Sequence, residues 1–195
     1  MSNRIEVAGT DRDLLPHRDM DRVHVLYAHY FLAADLMRSH YAKLRDKWDS
    51  RNQISQNNRV NFGIYFCSWL GFLGVTSEGF RDLNLRLLLQ RERPASFAEL
   101  TNKSDEIGKI MKKHEDPLRK FRNDVFHLRK NSDGMTKFLS GEVNRLEWAE
   151  ELHEKFSEFF SEYRILCEVH YILNGRNSES QLVKQDSKRR RTSTP

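Results

Sequence analysis

The apolar residues from Met20 to Trp48 recur at steps of three and four: Val23, Leu26, Tyr27, Tyr30, Phe31, Ala34, Met37, Tyr41, Leu44 and Trp48. That spacing lays one apolar stripe along a helix. The same period returns late in the chain in Val143, Leu146, Ala149, Leu152, Phe156, Phe159, Phe160, Tyr163 and Leu166. Two long one-sided helices must each bury their stripe, which constrains the chain to helix-on-helix packing. Four Pro and nine Gly in 195 residues are too few for an all-β chain with a turn about every ten residues.

The segments between follow the same rule. A second helix is expected over about residues 61–90; its first half, NFGIYFCSWLGFLGV, is apolar nearly all round and belongs inside a bundle. Gly63, Gly71 and Gly74 lie in it. Each lowers helicity by about 1 kcal/mol relative to Ala and is tolerated where a neighbouring helix comes close. Residues 50–59 read as a polar link, and Arg93-Pro94 breaks the pattern. A third helical region spans about 104–130. Asp116-Pro117 reads there as an N-cap followed by Pro at the first helical position, giving pieces 104–115 and 117–130 that meet at a kink. Asn131-Ser132-Asp133-Gly134 is a turn, and a last helix over about 141–173 ends at Asn174-Gly175. The fold expected is an all-α bundle of four to five helices. An irregular arm (1–19) precedes the helical domain (20–174), and a disordered basic tail (175–195) follows it.

Charge is concentrated in that tail. The formal net charge is +5, and residues 175–195 hold six basic and two acidic side chains, so they carry four of those charges. The terminal KRRRTSTP suits a polyanion contact, an import signal in a nucleated cell, or a plain solvated end. No uninterrupted apolar run reaches the roughly 18 residues of a membrane span. The N-terminal residues MSNRIEVAGTDRD lack an apolar signal core. Cys67 and Cys167 form no C-x-x-C pair, which fits a reducing compartment. A cytoplasmic protein with no membrane partner is therefore expected.

Few residues offer chemistry. The eight histidines show no H-x-x-x-H spacing, so neither a metal site nor a cofactor is expected. A glycine-rich phosphate loop and a serine-nucleophile elbow are both absent from the sequence. What remains is Leu118-Arg119-Lys120-Phe121-Arg122-Asn123-Asp124-Val125-Phe126-His127-Leu128. On a helix, Asn123 and His127 share a face and can hydrogen-bond, with Arg119 one turn earlier and Arg122 alongside. Phe121, Val125 and Leu128 turn inward and hold the polar stripe outward, while Phe126 can pack on the stem of Arg122. The Arg-x4-His spacing occurs twice, but Arg12 to His17 encloses Pro16 and cannot be a helical turn. A solvated helix face with a local Asn123–His127 pair accounts for the same residues without function.

The segment resembles the R-x4-6-H signature of HEPN domains, all-α domains associated with nucleic acids. Arg122, Asn123 and His127 match its R-N-x-x-x-H form. The motif matches strictly; helix count and the motif's place before the last long helix extend the resemblance loosely over Met20 to Leu173. It implies a metal-independent endoribonuclease of toxin or host-defence type, with Arg122, Asn123 and His127 catalytic and RNA as partner. RNA carries its own nucleophile, the 2′-OH. Histidine, titrating near pH 6.5, can move its proton. Arginine's fixed charge can meet the strained phosphate, and asparagine can orient the ring or donate to a phosphate oxygen. One histidine per chain is short of an acid and a base, and the family usually joins two motif helices across a homodimer. Arg119, Arg129 and Lys130 are candidates to line the RNA groove, although cations at an exposed helix end also suit the helix dipole. Glu78 is the candidate to hold the motif arginine, or a solvated helix glutamate. A regulatory protein or antitoxin is a possible further partner. The competing implication is a non-catalytic HEPN module that dimerises and binds a partner protein or nucleotide; a helical adaptor outside the family is a third reading.

Overall fold

A computed structural model describes residues 15–127, 134–140 and 144–182. Among them there is helix and no strand, as the periodicity requires. The helices are α1 (Arg22–Leu26), α2 (Leu32–Arg51), α3 (Gln56–Asp82), α4 (Leu85–Arg91), α5 (Thr101–Phe126), α6 (Gly134–Leu139) and α7 (Arg145–Leu173). Asp21 caps α1, its Oδ1 accepting from Val23 N at 3.0 Å. A π-helical turn, Tyr27–Phe31, joins α1 to α2 in one rod.

The link between α2 and α3 is shorter than its polar sequence suggests. α2 runs to Arg51, where Asn52 stops it with φ 52°, and Ser55 caps α3. Asparagine tolerates the left-handed region that ends a helix. A second such residue, Asn84 at φ 48°, splits the expected 61–90 helix into α3 and α4. α3 is the central rod, burying Phe66, Trp69, Leu70, Leu73 and Phe80. By length and mean hydropathy it is also apolar enough to cross a membrane. Its uninterrupted apolar run is shorter, broken by Ser68 and then by Thr76 and Ser77, whose hydroxyls donate to Phe72 O and Leu73 O one turn earlier.

α2, α3, α5 and α7 make the bundle. Tyr41 meets Trp69 at 5.4 Å between ring centroids, Phe66 meets Phe121 at 6.2 Å, and Phe31 meets Phe160 at 5.1 Å. The kink in α5 is real but lies earlier than Asp116-Pro117. His114 leaves helical geometry at φ −141° and ψ 32°, and Pro117 sits within the helix. The proline ring crowds the carbonyl four residues back, so the distortion falls on the turn before it.

The expected tail begins later than its composition indicates. Arg176 donates to Leu15 O at 2.7 Å and Pro16 O at 3.0 Å, and Glu179 accepts from Arg18 N at 2.8 Å. Glu168 on α7 accepts from Arg18 at 2.7 Å and from the Ser180 hydroxyl at 2.7 Å. Residues 175–182 thus pack against the segment before α1, part of the expected arm, because charged partners await a polar stretch that composition alone marks as solvated. Residues 183–195, including KRRR, lie outside the described residues.

Candidate functional site

The last three turns of α5 lie on α3, and two glycines make the approach possible. A Cβ added at Gly74 would stand 3.1 Å from Arg122 Cβ, and one at Gly71 would stand 2.9 Å from the Phe126 ring. Gly63, three and two turns further back, meets nothing within 4 Å. Close approach therefore explains Gly71 and Gly74 but not Gly63. Four residues beyond Gly74, on the same helical face, Glu78 receives the Arg122 guanidinium. Nη2 of Arg122 donates to both carboxylate oxygens, to Oε2 at 2.5 Å. Arg122 and Glu78 side chains are 23% and 25% exposed, so the pair is half-buried rather than solvated. Among the described residues Arg122 Nε is buried without an acceptor, and the guanidinium has no protein partner besides Glu78.

His127 does not continue the helix. Its backbone is extended (φ −120°, ψ 130°), and its N–H closes the last turn on Asn123 O at 3.0 Å. The helix expected to reach residue 130 leaves helical geometry at His127, and the expected Asn123–His127 side-chain hydrogen bond is not made. Neither side chain makes a hydrogen bond among the described residues. His127 is exposed, and Asn123 half-buried.

Of the three expected inward positions, Phe121 and Val125 fall among the described residues and turn inward; Phe126 rests on Phe72 and Gly71, where its spacing predicts the Arg122 stem. Leu118 and Phe121 are buried and Val125 is partly buried against the core. Phe126 packs edge-on to Phe72 at 5.4 Å and on Gly71, leaving it 45% exposed. Leu128, Arg129 and Lys130 lie outside the described residues. Arg119 is exposed and pairs with Asp116 at 2.9 Å.

Beside the Arg122–Glu78 pair a narrow crevice of about 10 Å³, room for about one water, lies between α3, α5 and α7. Gly74, Met111, Leu118 and Trp148 form its apolar lining, with Glu78, Glu115 and Arg119 its charged groups. Glu115 is paired with Arg81, three residues after Glu78. The spacing of Glu78 and Arg81 on α3 would put both on one side, but the sequence does not show that the α5 kink turns Glu115 toward them. Cys67, one turn before Gly71, is half-buried, and burial pushes its thiol above the ordinary range. No group of three or more His, Cys, Asp or Glu among the described residues is placed to hold a metal ion. The arrangement offers a guanidinium with uncommitted donors, a neutral amide and an accessible imidazole at one helix end.

No protein-family model matches the chain, and neither a curated protein nor a solved structure matches it.

Proposed function

We propose that the chain is a metal-independent endoribonuclease of HEPN type, acting in toxin or host defence. It cleaves RNA by attack of the 2′-OH on the adjacent phosphate, leaving a 2′,3′-cyclic phosphate and a 5′-hydroxyl. The observation that carries this reading is the exposed His127 five residues beyond a half-buried Arg122 whose stem is seated on Gly74. Arg122 binds the scissile phosphate and offsets the charge gained in the phosphorane. His127 transfers a proton at the 2′-oxygen or the 5′-oxygen, and Asn123 donates to a phosphate oxygen. Glu78 fixes the guanidinium. A second copy supplies the other histidine, so the active species is a homodimer formed around the end of α5.

One observation favours the second reading, a non-catalytic HEPN module that binds a partner protein or nucleotide. Glu78 occupies Arg122 with both oxygens, and Asn123 does not orient the His127 ring. Incubation with RNA in EDTA separates the two. Cleavage by the unaltered chain, lost by more than about 100-fold in His127→Ala and in Arg122→Ala, supports the nuclease. Undetectable cleavage, or equal cleavage in all three proteins, refutes it.

A further inference from the structure

Away from the α5 site, an open cleft of about 350 Å³ lies between the segment preceding α1 and the C-terminal end of α4. Its walls bring together Arg22, Arg91 and Arg93, with one carboxylate, Glu92, and apolar surface chiefly from exposed Met20, with the edge of buried Leu88 behind it. The three arginines are not equivalent. Arg93 is buried and spent: Nη2 donates to Asp21 Oδ1 at 2.8 Å, Nε to the Tyr163 hydroxyl at 2.7 Å and Nη1 to Glu92 O at 2.8 Å. Tyr163 in turn donates to Asp21 Oδ2 at 2.6 Å. Arg22 and Arg91 are exposed and have no hydrogen-bond or ion-pair partner among the described residues.

The buried network explains why the two free arginines are held together. Arg22 directly follows Asp21, and Arg91 lies two residues before Arg93. The Asp21–Arg93 bond therefore clamps the start of α1 to the end of α4, fixing the backbones that carry both free side chains. Asp21 cancels the charge of Arg93, so the uncompensated cations are Arg22 and Arg91, opposed by Glu92 alone. Two guanidinium forks lining one cleft suit the oxygens of a phosphate group, which a single carboxylate does not outweigh. The volume and the apolar wall admit an organic body beyond that phosphate.

We propose that this cleft is a binding site for an organic phosphate, with the phosphate on Arg22 and Arg91 and the body against Leu88 and Met20. The site is separate from the Arg122 centre and does not depend on the nuclease reading. Isothermal titration of the full chain with AMP, adenosine and inorganic phosphate tests it, using His127→Ala protein so that hydrolysis plays no part. The expected result is saturable one-to-one binding of AMP, weaker binding of inorganic phosphate, and none of adenosine. Arg22→Gln and Arg91→Gln each weaken AMP at least about 10-fold. Arg86→Gln, an exposed arginine outside the cleft, changes nothing, and Glu92→Gln tightens binding by removing a like charge. The proposal is overturned by no saturable binding of AMP, by equal loss in Arg86→Gln, or by undiminished binding in Arg22→Gln and Arg91→Gln. Weaker binding in Glu92→Gln also overturns it, because the ligand would then need a cation as well.

Discussion

Replacing glycine by alanine at two points of α3 measures the approach that seats Arg122. Gly63 and Gly74 lie on the same helical face three turns apart, and alanine improves intrinsic helicity at each by about 1 kcal/mol. At Gly63 the new methyl meets nothing within 4 Å, so Gly63→Ala should keep that gain. At Gly74 it would stand 3.1 Å from Arg122 Cβ, 3.3 Å from Cγ and 3.6 Å from Leu118 Cγ. Arg122 Cβ is fixed to the α5 backbone and cannot swing aside, so the helices must part by a few tenths of an ångström. Overpacking of this kind costs about 1–3 kcal/mol. The propensity gain cancels between the two variants, so their stabilities should differ by that same amount, about 1–3 kcal/mol, with Gly74→Ala the less stable. Gly71→Ala should fall between, since its obstacle is the end of the half-exposed Phe126 ring at 2.9 Å, which can rotate away. Urea unfolding followed by circular dichroism reads the difference in the midpoint at constant m. If Gly74→Ala gains as much stability as Gly63→Ala, α5 does not lie on α3 as described, and the seat of Arg122 is lost with it.

The Arg122–Glu78 pair should show as a coupling in a double-mutant cycle. Glu78→Gln and Arg122→Gln each destabilise, and together cost less than their sum by about 1 kcal/mol, as half-buried charge-assisted bonds do; additive effects in urea unfolding would rule the pair out. Acid should loosen the strap at residues 175–182. Glu179 is held below the ordinary carboxyl range by hydrogen bonds from Arg176, with Arg18 N assisting. For Glu168 desolvation pushes the other way, but hydrogen bonds from Ser180, Arg18 and Gln181 N outweigh it and the pKa is again lowered. A carboxylate depressed on folding contributes stability that is complete above its unfolded value, near 4.5, and lost as pH falls through the lower folded value. Hydrogen exchange at the Gln181 amide, bonded to Glu168 at 2.9 Å, should therefore lose protection below that point in the unaltered chain but already at neutral pH in Glu168→Gln; protection independent of pH would refute the reasoning.

What could be read in the sequence was what depends on neighbours within a few turns. The stripes of α2 and α7, the glycine-bearing central helix and the turn at Asn174-Gly175 follow from spacing, because burial on one face imposes a period. Boundaries were less legible: Asn52 and Asn84 end helices by adopting positive φ, which asparagine permits without demanding. The site divides the same way. Arg122 and Glu78 carry no local signal of each other, and their contact depends on a helix pair separated by 44 positions. Phe121 turned inward as its spacing requires. Asn123 and His127 do not make the side-chain bond their spacing permits, and His127 leaves helical φ/ψ at that last turn.

The kink at His114 is what lets one helix serve two neighbours. Before it, α5 belongs to α4 and α7: Asp105 accepts from Arg86 at 2.7 Å, Lys103 pairs with Glu162, and Ile110 O accepts from Trp148 Nε1 at 2.8 Å. After it, the contacts pass to α3, through Phe121 on Phe66, Leu118 and Arg122 on Gly74, and Arg122 on Glu78. A straight helix keeping the first set would carry its last three turns past the Gly71–Gly74 seat. The proline removes one backbone bond and crowds the carbonyl behind it, a defect worth about 3 kcal/mol in an isolated helix. Here both legs are packed, so tertiary contacts carry that cost, and the ring of His114 covers the bend edge-on against Trp148 at 5.2 Å. The polar segment at the end of α5 reaches Glu78 because the helix bends, and it bends at a residue the motif does not contain.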